Sequence, residues 1–223
     1  MRYFPIFLNI SDKTCLIVGA GSVGLRKIKT LMSCSPEKVI VIDPFTDSLD
    51  IQDQDSRLTH LKESFNVTHL EGCSLVFACT NDPEVNEKVA RACQEKNILC
   101  NVAETPDQGD FILPGVFSRQ DLIIAVSTCG CSPALTARIK QDLSDIYGPE
   151  YALLTELLAA VRKIILPLDL PQKKNREYFR AIVDSEALPL LKQGKSRQLA
   201  ELLQQILPSD THNEVQGVVN DLI

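Results

Sequence analysis

The residue pattern with the clearest chemical content is Gly19-Ala20-Gly21-Ser22-Val23-Gly24, with Asp43 standing 19 positions beyond Gly24. Glycines at this spacing let a chain turn tightly, bring its backbone against a pyrophosphate and pack a helix close to a strand. The free N–H groups and dipole at the start of such a helix favour phosphate anions, which places Ser22 and Val23 in the same cradle. An acid at the position of Asp43 can accept both hydroxyls of an adenosine ribose and repels a 2′-phosphate, so the expected cofactor is NAD and not NADP. Arg26 and Lys27 stand close enough in sequence to contest that preference. Outside a strand-turn-helix setting the same residues are only a turn and a solvated strand end.

A second group lies further along. Ser132 followed by Pro133 has the form of a helix N-cap with proline in the first turn. The loop from Thr128 to Ser132 would then present N–H groups to a substrate carboxylate, although an ordinary cap uses the same residues. Arg119 and Arg138 carry the guanidinium fork that suits carboxylates, yet most arginines are solvated surface residues. Cys129-Gly130-Cys131 invites a metal reading, but a single C-x-C lacks the second ligand pair of a zinc site. The three histidines, His60, His69 and His212, lie apart in polar stretches expected to be exposed. No metal site is expected.

These residues need elements to position them. The run 14–18 is continuously apolar, as a strand buried on both faces of a parallel sheet should be, and helical spacing follows from Val23 to Met32. Residues 39–43 form the next strand and close a strand-helix-strand unit. A further strand over 75–80, a helix from Pro83 through Ala92 capped by Asp82, and a strand over 97–102 continue the alternation, which is the signature of a doubly wound α/β domain. Residues 111–114 and 122–127 read as strands joined by the polar turn 118–121. From Ser132 onward the spacing is helical over 133–146, 151–166, 176–191 and 195–207, with the last dozen residues expected to fray. The predicted organisation is a Rossmann-type doubly wound parallel sheet over 1–113, a small α+β segment over 114–148, and a helical domain over 149–223.

Composition narrows the function classes. With 223 residues, 44% of them hydrophobic, the chain can bury a real core. A net charge of −6 gives no footprint for nucleic acid or an anionic membrane. The first residues lack the apolar length and cleavage site of a signal peptide, and no apolar run approaches the roughly 20 residues of a membrane span. The eight cysteines fall mostly in or beside apolar segments, where free thiols behave as small hydrophobes. That usage predicts a soluble protein in a reducing cytoplasm.

Taken in order, several stretches are more specific than the glycine loop. They are Tyr3-Phe4-Pro5-Ile6-Phe7-Leu8, Ala78-Cys79-Thr80-Asn81-Asp82 followed by Val85-Asn86, Asn101-Val102-Ala103-Glu104, Asp110-Phe111-Ile112-Leu113-Pro114, and Ala125-Val126-Ser127-Thr128-Cys129-Gly130-Cys131-Ser132-Pro133. With them the chain resembles the precorrin-2 dehydrogenase family of the siroheme-synthase N-terminal type, over about residues 3–150 and more loosely beyond. The resemblance implies oxidation of precorrin-2 to sirohydrochlorin by hydride transfer to NAD⁺, a homodimer formed through the middle segment, and in some members insertion of Fe²⁺ or Co²⁺. It implies cofactor contacts at Thr80 and Asn81 and places the Thr128 hydroxyl beside the active site. An aspartate usually holds the position of Glu104 and has a proton-transfer role there. Glutamate keeps the carboxylate but reaches one methylene further, so proton transfer over about 2.6–3.2 Å requires the backbone or substrate to accommodate it. Its position just past a strand's carboxyl end suits a ligand-facing base, and a solvated loop acid is the plainer alternative.

Two other function classes compete. A non-catalytic NAD-responsive regulatory module would need the Rossmann domain alone, and tetrapyrrole binding separates it from the enzyme. A chelatase using the NAD fold as scaffold would stay active without NAD.

Overall fold

A computed structural model describes residues 3–49 and 55–223. The chain divides into two compact units, Met1–Leu113 and Pro114–Ile223. The first contains β1 (Thr14–Val18), α1 (Ser22–Ser33), β2 (Lys38–Ile42), β3 (Leu58–Leu61), β4 (Cys73–Ala78), α2 (Pro83–Lys96) and β5 (Leu99–Val102). All five strands are parallel, in the order β3-β2-β1-β4-β5. The chain runs outward from β1 to β3 and then returns across β1 to lay down β4 and β5. The loops after β1 and β4 therefore leave the sheet in diverging directions and open a crevice at its carboxyl edge.

The unbroken apolar character of β1 follows from its place at the sheet's centre. Leu16 and Val18 pack with Val76, Ala78 and the α2 residues Val89, Ala92 and Cys93 on one face. Cys15 and Ile17 pack with Val39, Phe77 and the α1 residues Ile28 and Leu31 on the other. The sheet edge at β3 has no counterpart in the sequence reading. Its four residues, Leu-Thr-His-Leu, are too short and polar for a periodicity signal, and parallel pairing with β2 defines it, Val41 opposite His60.

The histidines differ from expectation, because all three are partly buried. His69 Nδ1 accepts from the Asn66 N–H at 3.1 Å, and its Nε2 lies 3.0 Å from Glu63. His212 Nε2 lies 3.1 Å from the Leu207 carbonyl oxygen.

The second unit opens with an antiparallel hairpin of β6 (Gly115–Arg119) and β7 (Leu122–Val126). The strand expected over 111–114 is absent from those residues and begins instead at Gly115. Pro114 has no N–H for a ladder, and Phe111 serves the core of the first unit, edge-on to Phe77 with ring centroids 5.7 Å apart. The hairpin turn is correspondingly tighter than the expected 118–121, with Gln120 at φ 48°.

Six helices follow: α3 (Pro133–Ile146), α4 (Glu150–Ile165), α5 (Gln172–Val183), α6 (Ala187–Lys192), α7 (Ser196–Ile206) and α8 (His212–Leu222). The single helix expected over 176–191 is two. Ser185 donates to the Ile182 carbonyl and accepts the Ala187 N–H, a local side-chain alternative to the helical ladder. The last dozen residues are not frayed, since α8 inserts Val215 and Val219, both fully buried, beside Leu157, Val161, Leu199 and Leu203. Among the described residues no helix is long and apolar enough to cross a membrane.

Candidate active site

The glycine loop joins β1 to α1 at the crevice. Gly19 has φ +100°, and a Cβ there would lie 2.7 Å from the Cys79 backbone and 2.8 Å from the Thr80 nitrogen. The turn after β1 and the loop after β4 thus touch through bare backbone. Gly24 is held just as closely, since its Cβ would fall 2.0 Å from the Gly19 carbonyl oxygen. Gly21, the N-cap of α1, behaves oppositely: nothing lies within 4 Å of its Cβ position. Two of the glycines are required by the protein's own packing, while the third leaves open space above a helix N-terminus. That space is where a pyrophosphate would approach the N–H groups of Ser22 and Val23.

Asp43 follows β2 and braces this loop. Its Oδ2 accepts the Ala20 N–H at 2.7 Å, and its Oδ1 accepts the N–H groups of Phe45 and Thr46 at 2.8 and 2.9 Å. Partial burial pushes the carboxyl pKa up, but these backbone hydrogen bonds outweigh it and hold the group below its ordinary value. The side chain is therefore an anion at neutral pH. The Thr46 side chain adds a fourth hydrogen bond, so the carboxylate's roughly four acceptor positions are engaged within the protein, and a ribose hydroxyl, of which the sequence reading expected two, has to share or displace one of them. Lys27 does not compete for a phosphate. It is 7% exposed and turned inward, with Nζ donating to Asn101 Oδ1 at 2.7 Å and standing 5.2 Å from the Phe77 ring centroid. Burial lowers its pKa.

Opposite the glycine loop, Thr80 and Asn81 follow β4. Buried Asn86 clamps this turn, accepting from the Thr80 N–H and hydroxyl at 3.1 and 2.8 Å and donating to the Thr80 carbonyl at 2.9 Å. Thr80 also donates to the Asp82 carbonyl. Its hydroxyl is occupied in shaping the loop, while Asn81 is exposed beyond the strand end. Asp82 caps α2 by accepting the Glu84 and Val85 N–H groups.

Glu104 lies two residues past β5 and is exposed. The segment that carries it is pinned at its far end. Asp110 accepts the Cys100 N–H and donates its own N–H to the Cys100 carbonyl, both at 2.8 Å. Asn101 donates to the Phe111 carbonyl at 2.8 Å while holding Lys27. The Lys27-Asn101-Phe111 bracket links α1, β5 and the Glu104 segment. Sequence reading missed its role, since the partners stand 74 positions apart. The available signal was a lysine on the apolar face of α1, three positions after Gly24 and beside Ile28.

In the second unit, Ser132 caps α3 by accepting the Leu135 N–H at 3.1 Å. The Thr128 hydroxyl donates to the Ser132 carbonyl at 3.2 Å and accepts its N–H at 3.0 Å. Arg119 packs over Phe117 and donates to the Ser144 hydroxyl at 3.1 Å. Arg138 is exposed on α3 in a 2.8 Å pair with Asp142. Among the described residues no three metal-ligating side chains come together.

An NAD(P)-binding family model matches residues 6–115. Siroheme synthase of Nitrosomonas europaea is 30% identical over 220 residues, which are 98% of this chain and 46% of that protein. Siroheme synthase of Nitrosococcus oceani is 34% identical over 165 residues, 74% of this chain and 35% of that protein. The chain spans less than half the length of these curated relatives. The solved structure of SirC, a precorrin-2 dehydrogenase, matches with a TM-score of 0.74 at 28% identity, covering 92% of this chain and 98% of that one. With its 3-2-1-4-5 parallel sheet, its open glycine cradle and these likenesses over nearly its whole length, the chain belongs to the precorrin-2 dehydrogenase and siroheme synthase family.

Proposed function

We propose that this chain oxidises precorrin-2 to sirohydrochlorin with NAD⁺ as hydride acceptor, a step of siroheme synthesis. The observation that carries the reading is the open space at Gly21, in a chain that matches a precorrin-2 dehydrogenase along 92% of its length. Bound there, NAD⁺ supplies the hydride acceptor that the protein's own side chains lack. Gly19, Gly21, Ser22, Val23 and Gly24 hold the pyrophosphate over α1, Asp43 receives a ribose hydroxyl and disfavours a 2′-phosphate, and Thr80 and Asn81 flank the cofactor from the β4 side.

Glu104 takes the proton released as the reduced ring is oxidised. Its extra methylene, relative to the aspartate usual in the family, extends the carboxylate further from a backbone that the Asp110 and Asn101 hydrogen bonds pin. Substrate carboxylates are received by Arg138, whose exposed partner Asp142 can be exchanged at little cost, and by the Gly130 tip of the Thr128–Ser132 loop, since the Cys129, Cys131 and Ser132 N–H groups already donate within that segment. Arg119, already engaged by Ser144 and Phe117, contributes charge from within the fold.

Residues 1–113 form the NAD-binding domain, 114–148 the segment for dimerisation and substrate, and 149–223 a helical domain. Homodimerisation through the middle segment is supported by its uncovered apolar surface. No residue of α3 is buried, and Val116, Ile123, Leu135 and Ile146 are 44–64% exposed. A cytoplasmic location is supported by the free state of all eight cysteines.

The test is anaerobic incubation with precorrin-2 in three arms, containing NAD⁺, NADP⁺ or neither, followed by addition of Fe²⁺ or Co²⁺ to the product. Sirohydrochlorin is expected with NAD⁺, and far more slowly with NADP⁺. NAD⁺ binding with the tetrapyrrole unchanged would contradict the proposal and leave a regulatory module. Insertion of Fe²⁺ or Co²⁺ into separately supplied sirohydrochlorin without NAD⁺, by a protein that leaves precorrin-2 unoxidised, would leave a chelatase.

A further inference from the structure

Of the eight thiols, Cys15, Cys73, Cys79, Cys93 and Cys100 are buried, and burial pushes Cys15 and Cys79 up to about 11. All five are packing residues held away from solvent. Cys34, Cys129 and Cys131 are exposed, and the last two stand on either side of a single glycine in the loop between β7 and α3. We propose that Cys129 and Cys131 form a thiol-disulfide couple that exchanges with low-molecular-weight disulfides such as oxidised glutathione. The pair lies in the loop that the proposed function gives to substrate carboxylates, but its exchange chemistry needs neither substrate nor NAD⁺ and is tested without them.

The backbone already holds the pair in a tight turn. The Cys131 N–H donates to the Thr128 carbonyl at 3.0 Å, with Cys129 at φ +53° and Gly130 at φ +86°. Positive φ at both central residues is the mark of a type I′ turn. Two virtual bonds of about 3.8 Å separate the Cα atoms of Cys129 and Cys131, and the bend at Gly130 shortens that span towards the roughly 4.4–6.8 Å Cα separation of disulfides.

The turn is also anchored at its base. The Cys129 N–H donates to Ser127 Oγ at 3.0 Å, and Thr128 bonds both polar backbone groups of Ser132. Nothing lies within 4 Å of the Gly130 Cβ position, so an incoming disulfide meets an open tip. Type I′ turns favour asparagine before glycine. A cysteine in the left-handed region is disfavoured by about 1–2 kcal/mol, so turn geometry does not account for the thiol at position 129.

The chemistry balances as two exchanges. One protein thiolate attacks oxidised glutathione, forming a mixed disulfide and releasing one glutathione thiol. The second protein thiolate then attacks the bound protein sulfur and expels the other glutathione. Two protein thiols lose two protons and two electrons, and one glutathione disulfide becomes two thiols. The resulting small ring would fix the loop that carries Thr128.

The experiment equilibrates the full chain in glutathione buffers of graded oxidised-to-reduced ratio, quenches with acid, alkylates free thiols and digests with trypsin. Cleavage after Arg119 and Arg138 yields peptide 120–138, whose only cysteines are 129 and 131. The expected result is a reversible loss of two hydrogens from this peptide with one midpoint. In Cys131→Ser the remaining Cys129 should instead accumulate a glutathione adduct that no neighbour resolves. Thiols that stay alkylatable at every ratio, stable glutathione adducts in the unsubstituted chain, or bridges to other peptides would overturn the proposal.

Discussion

Gly21 and Gly24 separate the cofactor's demands from the protein's own. In Gly24→Ala the new methyl would fall 2.0 Å from the Gly19 carbonyl oxygen, a backbone atom that cannot rotate away. Overpacking of this kind costs up to about 3 kcal/mol, against about 1 kcal/mol gained from alanine's helix propensity. A net loss near 2 kcal/mol in a domain of this size lowers Tm by about 10 °C. Gly21→Ala meets no protein atom within 4 Å and removes no side-chain cap hydrogen bond. Its stability effect should stay within about 1 kcal/mol. Its methyl occupies the space assigned to the pyrophosphate, and an intrusion of about 1–3 kcal/mol there weakens binding roughly 5- to 150-fold. Thermal unfolding without cofactor, paired with NADH fluorescence titration, reads both effects. A Gly21→Ala protein that binds as tightly as the unsubstituted chain would refute this placement of the cofactor, and one that melts like Gly24→Ala would refute the open-cradle geometry.

Asp43→Asn should cost roughly 1–3 kcal/mol, because its amide nitrogen cannot accept one of the three backbone N–H groups; it should also shift cofactor preference towards NADP, read as the ratio of the two Kd values. The Asp43 pKa is lowered on folding, so its stabilisation is complete above the unfolded value near 4 and is lost as pH falls below it; acid titration of Asp43→Asn should show a shallower loss over that window. Glu104→Gln should reduce turnover about 10²- to 10⁴-fold with NAD binding unchanged, and normal turnover would remove Glu104 from the mechanism. Asn101→Leu strands the Lys27 ammonium and the Phe111 carbonyl together, with an expected loss of roughly 1.5–3 kcal/mol or more in urea unfolding.

The parts of the site written in adjacent residues were legible in sequence. The glycine loop, the strand before it and the Asp82-Pro83 cap each declare themselves within a few positions. Contacts that join distant stretches were not, because neither partner looks unusual alone. Asp43 reads as a ribose acceptor, and only the fold brings the Ala20 N–H, 23 positions away, onto its carboxylate. Lys27 reads as a surface cation until Asn101 supplies an internal acceptor. The apolar run at 111–113 mimics a strand but serves packing, with Phe111 against the α1-side core. In α8 the polar residues His212, Asn213, Glu214 and Gln216 mask a narrow stripe of Val215, Val219 and Leu222 that tertiary packing uses.

The most direct test is a single anaerobic turnover with enzyme in excess over precorrin-2 and NAD⁺ saturating, following NADH and sirohydrochlorin together. The account predicts that both appear with the same rate constant, one NADH for each sirohydrochlorin. Sirohydrochlorin formed without NADH, or no product from active precorrin-2 bound to the NAD-loaded protein, would contradict it.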